Sequence, residues 1–145
     1  MEFFTSLALI CYGLAFSGVL TFAIAYLVRS EFMPYHSLAT ARAWQDIDPA
    51  MQLLLLALMR VIGATSLGLG VSGLLQLYLL FTRDWTLGHL IAFQAFCLIA
   101  ITPSVAIGLY MRHKTKAPTP VFSGIFIVLL TLTGFVLAWM SGRFA

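Results

Sequence analysis

The chain has 145 residues, of which 61% are hydrophobic and 9% charged, with a formal net charge of +3 and a mean hydropathy of +1.00. A water-soluble domain of that size and composition would expose far more apolar surface than water tolerates, so a soluble globular fold is excluded. The few basic residues are expected in loops at a membrane surface, where they record topology, and not on a nucleic-acid-binding face. The two cysteines, Cys11 and Cys97, both fall in apolar runs. Neither a disulfide framework nor a CxxC metal or redox spacing is present, and buried free thiols are expected.

Residues 3–28 form the first apolar run, longer than the roughly 20 residues a transmembrane helix needs. The start, Met1-Glu2-Phe3-Phe4, has no basic stretch and no small-residue cleavage site before this run. It is therefore expected to be a retained span and not a signal peptide. Gly13, Ser17, Thr21 and Ala25 recur on a four-residue beat that permits close helix approach.

Residues 29–50 are the longest polar segment. Pro34 or Ser37 can start a short helix, and Asp48 followed by Pro49 makes a good N-cap and first-turn pair for the next span. Between them, His36, Thr40, Ala43, Trp44 and Ile47 gather on one helical face and Arg42, Gln45 and Asp46 on another. This pattern predicts a helix lying in the membrane interface with His36 turned inward.

Residues 51–81 form the second run, with one charge, Arg60, and four glycines. At about 100° per residue, Gly63, Ser66, Gly70 and Gly73 form one small-residue stripe, and Thr65, Gly68, Ser72 and Gln76 form another. Two close-packing faces predict two close neighbours, so this span is expected at the centre of the bundle. The residues from Val61 to Phe81 already cover roughly 31 Å without a charge, which sets Arg60 at the membrane boundary. Its side of the wheel also carries Leu67, Val71 and Leu74, which suits a lipid-facing arginine that snorkels to headgroups. The alternative is a buried ion pair with Glu31.

Residues 87–111 form the third run and residues 121–140 the fourth. Gln94 follows Trp85 by as many residues as Gln76 precedes it. A tight hairpin centred there would hold both amides at one level, either bonded to each other or lining a small polar site. Pro103 removes a backbone donor and frees the carbonyl of Ile99, which predicts a kink. Small residues recur again, at Ala100, Ser104 and Gly108 in the third run and at Gly124, Thr131, Gly134 and Ala138 in the fourth. The whole chain, 1–145, is therefore expected to be one all-α membrane domain, a four-transmembrane-helix bundle with a short interfacial helix between the first two spans.

Loop charges orient it. Arg29, Arg42, Arg112, Lys114 and Lys116 lie on one side of such a bundle, against Arg83 and Arg143 on the other. The positive-inside tendency then predicts that loops 29–50 and 112–120 are cytoplasmic and both termini outside, as in a plasma or inner membrane. Tyr26, Tyr35, Trp44 and Tyr110 would mark the inner aromatic belt, and Trp85 and Trp139 the outer.

Few residues invite chemistry. His36, with Glu31 and Asp46 on the same side, could hold a transition metal, and His36 with His113 could ligate a haem. Their spacing matches no HExxH or related ligand motif, so no cofactor is named from the sequence. No GxSxG nucleophile occurs, and Gly68-Leu69-Gly70 has no preceding strand to make it a dinucleotide fingerprint. The expected function is that of a structural or accessory subunit, packing on itself or on another membrane protein in the bilayer. The alternatives are a small oligomeric transporter or channel using Arg60, Gln76 or Gln94, and a membrane enzyme or cofactor carrier working through His36, Glu31 and Asp46.

Overall fold

The computed structural model describes residues 2–84 and 86–144. Five α-helices follow in chain order: α1 (Glu2–Val28), α2 (Pro34–Thr40), α3 (Pro49–Thr82), α4 (Leu87–Thr115) and α5 (Val121–Met140), with a 3-10 turn at Trp44–Asp46. The four long helices α1, α3, α4 and α5 are each long and apolar enough to cross a membrane. At most 28% of the most apolar stretch of any of them is buried within the chain. Their remaining surface is apolar and outward-facing, which is the pattern of a bundle solvated by lipid. Trp85, on which the centred hairpin and part of the outer aromatic belt rest, lies outside the described residues.

Helix α1 holds the bundle together. It packs extensively on both α3 and α5, α4 rests on α5, and α3 and α4 touch little. This corrects the expectation that the span at 51–81 is central. That span has one close neighbour inside the chain, because only one of its two small-residue stripes is filled. Gly63, Gly70 and Gly73 are buried, and a Cβ at Gly63 would stand 2.9 Å from Leu27 Cγ and 3.0 Å from the Ala23 carbonyl oxygen. At Gly70 it would stand 2.6 Å from Leu20 Cδ2, and at Gly73 it would run into the ring of Phe16. The side chains of Leu27, Leu20 and Phe16 and the backbone carbonyl of Ala23, all of α1, thus fill the channel these glycines leave, and Ser66 is half-buried. On its other side α1 sets the Tyr12 ring against Gly134 of α5, where a Cβ would stand 2.9 Å from Tyr12 Cδ2.

The second stripe of α3 has no such partner. Thr65, Gly68 and Ser72 are exposed, and a Cβ at Gly68 would meet nothing within 4 Å.

Helix ends follow local chemistry. Asp48 Oδ1 accepts from Ala50 N at 2.9 Å and Met51 N at 3.4 Å, and Pro49 takes the first helical position of α3. At the other end of α3, Arg143 Nη2 donates to the Phe81 carbonyl at 2.8 Å and Phe144 packs edge-on against Phe81. The C-terminal turn therefore closes the last turn of α3, where carbonyls lack helical partners. Helix α4 runs through Pro103 and four residues past the apolar run, carrying Arg112, His113 and Lys114 in its last turn. Lys116 ends it with φ 60°, its N–H bonded to the Arg112 carbonyl at 3.0 Å.

The expected short helix between the first two spans forms and starts at Pro34, but it does not run on to Ile47. Ala41 takes a left-handed conformation with φ 51° and ends α2 after seven residues, and Trp44–Asp46 then makes only a 3-10 turn. Residues His36 and Trp44 consequently belong to two short pieces and not to one amphipathic face.

Candidate functional site: polar groups within the spans and at the basic end

Polar groups inside the spans are of two kinds, those satisfied within the chain and those left open. The first kind is a chain of side chains across three helices. Tyr12 of α1 donates its hydroxyl to Gln94 Oε1 at 2.9 Å, and Gln94 Nε2 donates to Thr131 Oγ1 of α5 at 3.5 Å. Thr131 Oγ1 in turn donates to the Val128 carbonyl at 2.9 Å. All three residues are buried, Tyr12 and Thr131 completely. A carboxamide or phenol in hydrocarbon needs such partners, since an unmade hydrogen bond there costs several kcal/mol at about the upper end of the range. The Tyr12 ring is also edge-on to Phe93 at 5.1 Å, within the cluster that includes Phe16, Leu77, Leu80, Leu90 and Cys97.

This arrangement corrects the expected Gln76–Gln94 pair. Because α4 packs on α5 and barely on α3, the face of α4 that carries Gln94 meets Tyr12 and Thr131 instead. Tyr12 was passed over in the sequence, although a phenol in the middle of an apolar span is itself a signal that an acceptor must lie nearby.

Gln76 is the second kind. It is half-buried on α3, on the same side of the wheel as Thr65, Gly68 and Ser72, and its amide makes no hydrogen bond to any described residue. Arg60 is exposed and forms no ion pair with Glu31 or with any other described carboxylate. The buried-pair alternative is therefore not realised in the chain.

At the end of the bundle that carries segments 29–48 and 116–120, His36 sits in an aromatic nest. Its ring lies edge-on to Tyr35 at 4.5 Å, Phe32 at 6.0 Å and Tyr26 at 6.4 Å, and Trp44 closes on Phe32 at 5.0 Å. Met33 N donates to His36 Nδ1 at 3.3 Å, which assigns the proton of the neutral ring to Nε2. Burial among these rings lowers the His36 pKa, because an imidazolium there would lose its hydration. The Tyr26 and Tyr35 hydroxyls are hydrogen-bonded to each other. Burial first, and that bond second, push the Tyr35 pKa up, so the phenol stays neutral. Met59 and Phe32 complete the core beneath, with Leu55 and Ile47 packed against it.

The candidate metal ligands Glu31, His36 and Asp46 do not form a metal-binding group. Among the described residues, no group of three or more His, Cys, Asp or Glu stands where it could hold a metal ion. Glu31 and Asp46 are exposed, and Glu31 borders a shallow depression of 240 Å³ with Phe32, Ser37, Trp44 and Gln45. His113 is exposed near the end of α4 and borders a second depression of 360 Å³ with Leu109, Arg112 and Lys116. Edge-on packing against Tyr35, Phe32 and Tyr26 accounts for the position of His36. Comparison of the chain with models of protein families, with characterised proteins and with solved structures finds no match that would assign it to a family.

Proposed function

We propose that the protein is a structural or accessory subunit of a membrane assembly, built from copies of itself or from a larger complex, that docks through the outward stripe of α3. The observation that carries this reading is Gln76: a carboxamide within a span, without a hydrogen-bond partner among the described residues, beside Ser72, Thr65 and the open space at Gly68. In hydrocarbon an unpartnered amide is unfavourable, whereas a neighbouring helix could bond it and approach closely over Gly68. Supporting it, α1 carries a similar outward row, Gly13, Ser17 and Thr21, whose hydroxyls turn back to carbonyls of their own helix. In this reading the basic segments 29–50 and 112–120 face the cytoplasm and both termini lie outside, as the charge distribution favours.

Extraction of the full-length protein from its membrane into polymer-bounded lipid particles, followed by mass measurement of the particles, tests the proposal. The assembly should be larger than one chain, and Gly68→Leu or Gln76→Leu should release the single chain while leaving its thermal unfolding nearly unchanged. A single chain in wild-type particles, or an assembly indifferent to both substitutions, would refute it.

A further inference from the structure

The depression at the end of α4 has a composition that the packing does not explain. Arg112, His113 and Lys116 border its 360 Å³ together with Leu109, one turn or less inside the span. Arg112 is braced with its guanidinium carbon 4.7 Å above the ring of Phe122 in the first turn of α5. Lys114 is turned out of the depression, its ammonium 5.9 Å from the Tyr110 ring. None of Arg112, His113 or Lys116 is paired with a carboxylate among the described residues. The chain has only five acidic residues in all, and none lies between 85 and 145. The negative end of the α4 dipole offsets about half a charge at most. The first turn of α5, where Phe122 lies, contributes the positive end of its own dipole. Two uncompensated cations and an imidazole thus surround a space whose fourth wall is an aliphatic side chain at the membrane boundary.

We propose that this depression binds the phosphate of an anionic membrane lipid, a phosphodiester headgroup of the phosphatidylglycerol type, with Arg112 and Lys116 contacting the phosphate oxygens and Leu109 contacting the start of an acyl chain. Arginine offers a forked donor pair suited to phosphate, lysine a point charge, and basic pockets at the ends of spans recognise anionic headgroups by this chemistry. Soluble phosphate shares the charged half of the recognition but makes no use of Leu109. A membrane lipid uses both halves and is held at the right depth by its own tails.

The test is titration of the detergent-solubilised full-length protein with phosphatidylglycerol or phosphatidylcholine, with bound lipids counted by native mass spectrometry. Phosphatidylglycerol should bind about tenfold or more tighter, and each basic residue removed from the depression should weaken it about fivefold. Arg112→Gln with Lys116→Asn should therefore cost roughly 25-fold; asparagine is chosen because it accepts the left-handed backbone at that position. Lys116→Asn alone, with an expected loss of about fivefold, keeps the test decisive if the pair folds poorly. Arg42→Gln with Lys114→Gln removes the same charge from the same end of the bundle outside the depression, and should leave binding within about twofold. Equal losses in the two pairs, no preference between the lipids, or displacement of the lipid by excess inorganic phosphate would each overturn the assignment.

Discussion

Gly73→Ala and Gly68→Ala place the same methyl group on the same helix, five residues apart, against opposite surroundings. At Gly73 the new Cβ would fall 2.7 Å from Phe16 Cδ1 and nearer still to Cε1 and Cζ, whereas at Gly68 nothing lies within 4 Å. Phe16 cannot swing away freely: it is 3% exposed and its ring stands against that of Phe93 at 6.0 Å. Replacing glycine by alanine within a helix favours the helix by about 0.5–1 kcal/mol, and forcing a methyl into a packed interior typically costs about 1–3 kcal/mol. Gly68→Ala should therefore be neutral or stabilising by up to about 1 kcal/mol, and Gly73→Ala destabilising by up to about 2 kcal/mol. Because the helix-propensity contribution cancels between them, their difference of about 1–3 kcal/mol isolates the α1–α3 packing. Reversible unfolding in mixed micelles with increasing denaturing detergent measures both. Equal responses at the two glycines would mean that α3 does not present Gly73 to Phe16.

Other substitutions probe the polar groups. Gln94→Leu should destabilise by about 1–3 kcal/mol by leaving the Tyr12 hydroxyl without its acceptor, and adding Tyr12→Phe should recover part of that loss; strictly additive losses in the double variant would argue against the bond. Arg60→Leu should change detergent stability by less than about 0.5 kcal/mol, since the side chain is exposed and unpaired, and a severe loss rescued by neutralising Glu31 would point to a pair after all. For His36, burial lowers the folded-state pKa below the ordinary 6.5, so the unfolded chain takes up the proton first as pH falls. Stability contributed by the neutral ring is complete above 6.5 and is lost as pH falls from there toward the folded-state pKa. His36→Phe should flatten that part of the stability profile, and an unchanged acid-side slope would remove His36 as its cause. A cysteine at Lys114 should react with a membrane-impermeant thiol reagent only after lysis; labelling of intact cells would invert the orientation.

The four spans were legible because length and apolarity alone define them: residues 3–28, 51–81, 87–111 and 121–140 correspond to Glu2–Val28, Pro49–Thr82, Leu87–Thr115 and Val121–Met140. Asp48 and Pro49 marked the start of α3 because capping is local chemistry. Helix α4 outran its apolar stretch since Arg112 and Lys114 are good helix formers and basic residues suit a helix's last turn. Which face of a helix carries small residues is a matter of periodicity, so the stripe of Gly63, Gly70 and Gly73 could be read. Which helix fills that stripe depends on shapes distant in sequence, and the wheel gave no way to choose Phe16 and Leu20 of α1. For the same reason Gln94 could be seen to need a partner, while Tyr12 and Thr131, 82 and 37 residues away, could not be selected. The break in the interfacial segment at Ala41 escaped because alanine carries no signal for a left-handed turn.

Photo-crosslinking in intact membranes, scanned along α3 with a reactive unnatural side chain at one position at a time, bears most directly on the assembly claim. The outward stripe predicts that positions 65, 68 and 72 capture a second helix, a copy of this chain or another subunit, while positions 67, 71 and 78 capture only lipid. Crosslinking that follows this helical period and disappears with Gln76→Leu is the expected result. Protein crosslinks from positions 67, 71 and 78 alone, equal yields all around the helix, or lipid adducts at every position would contradict it.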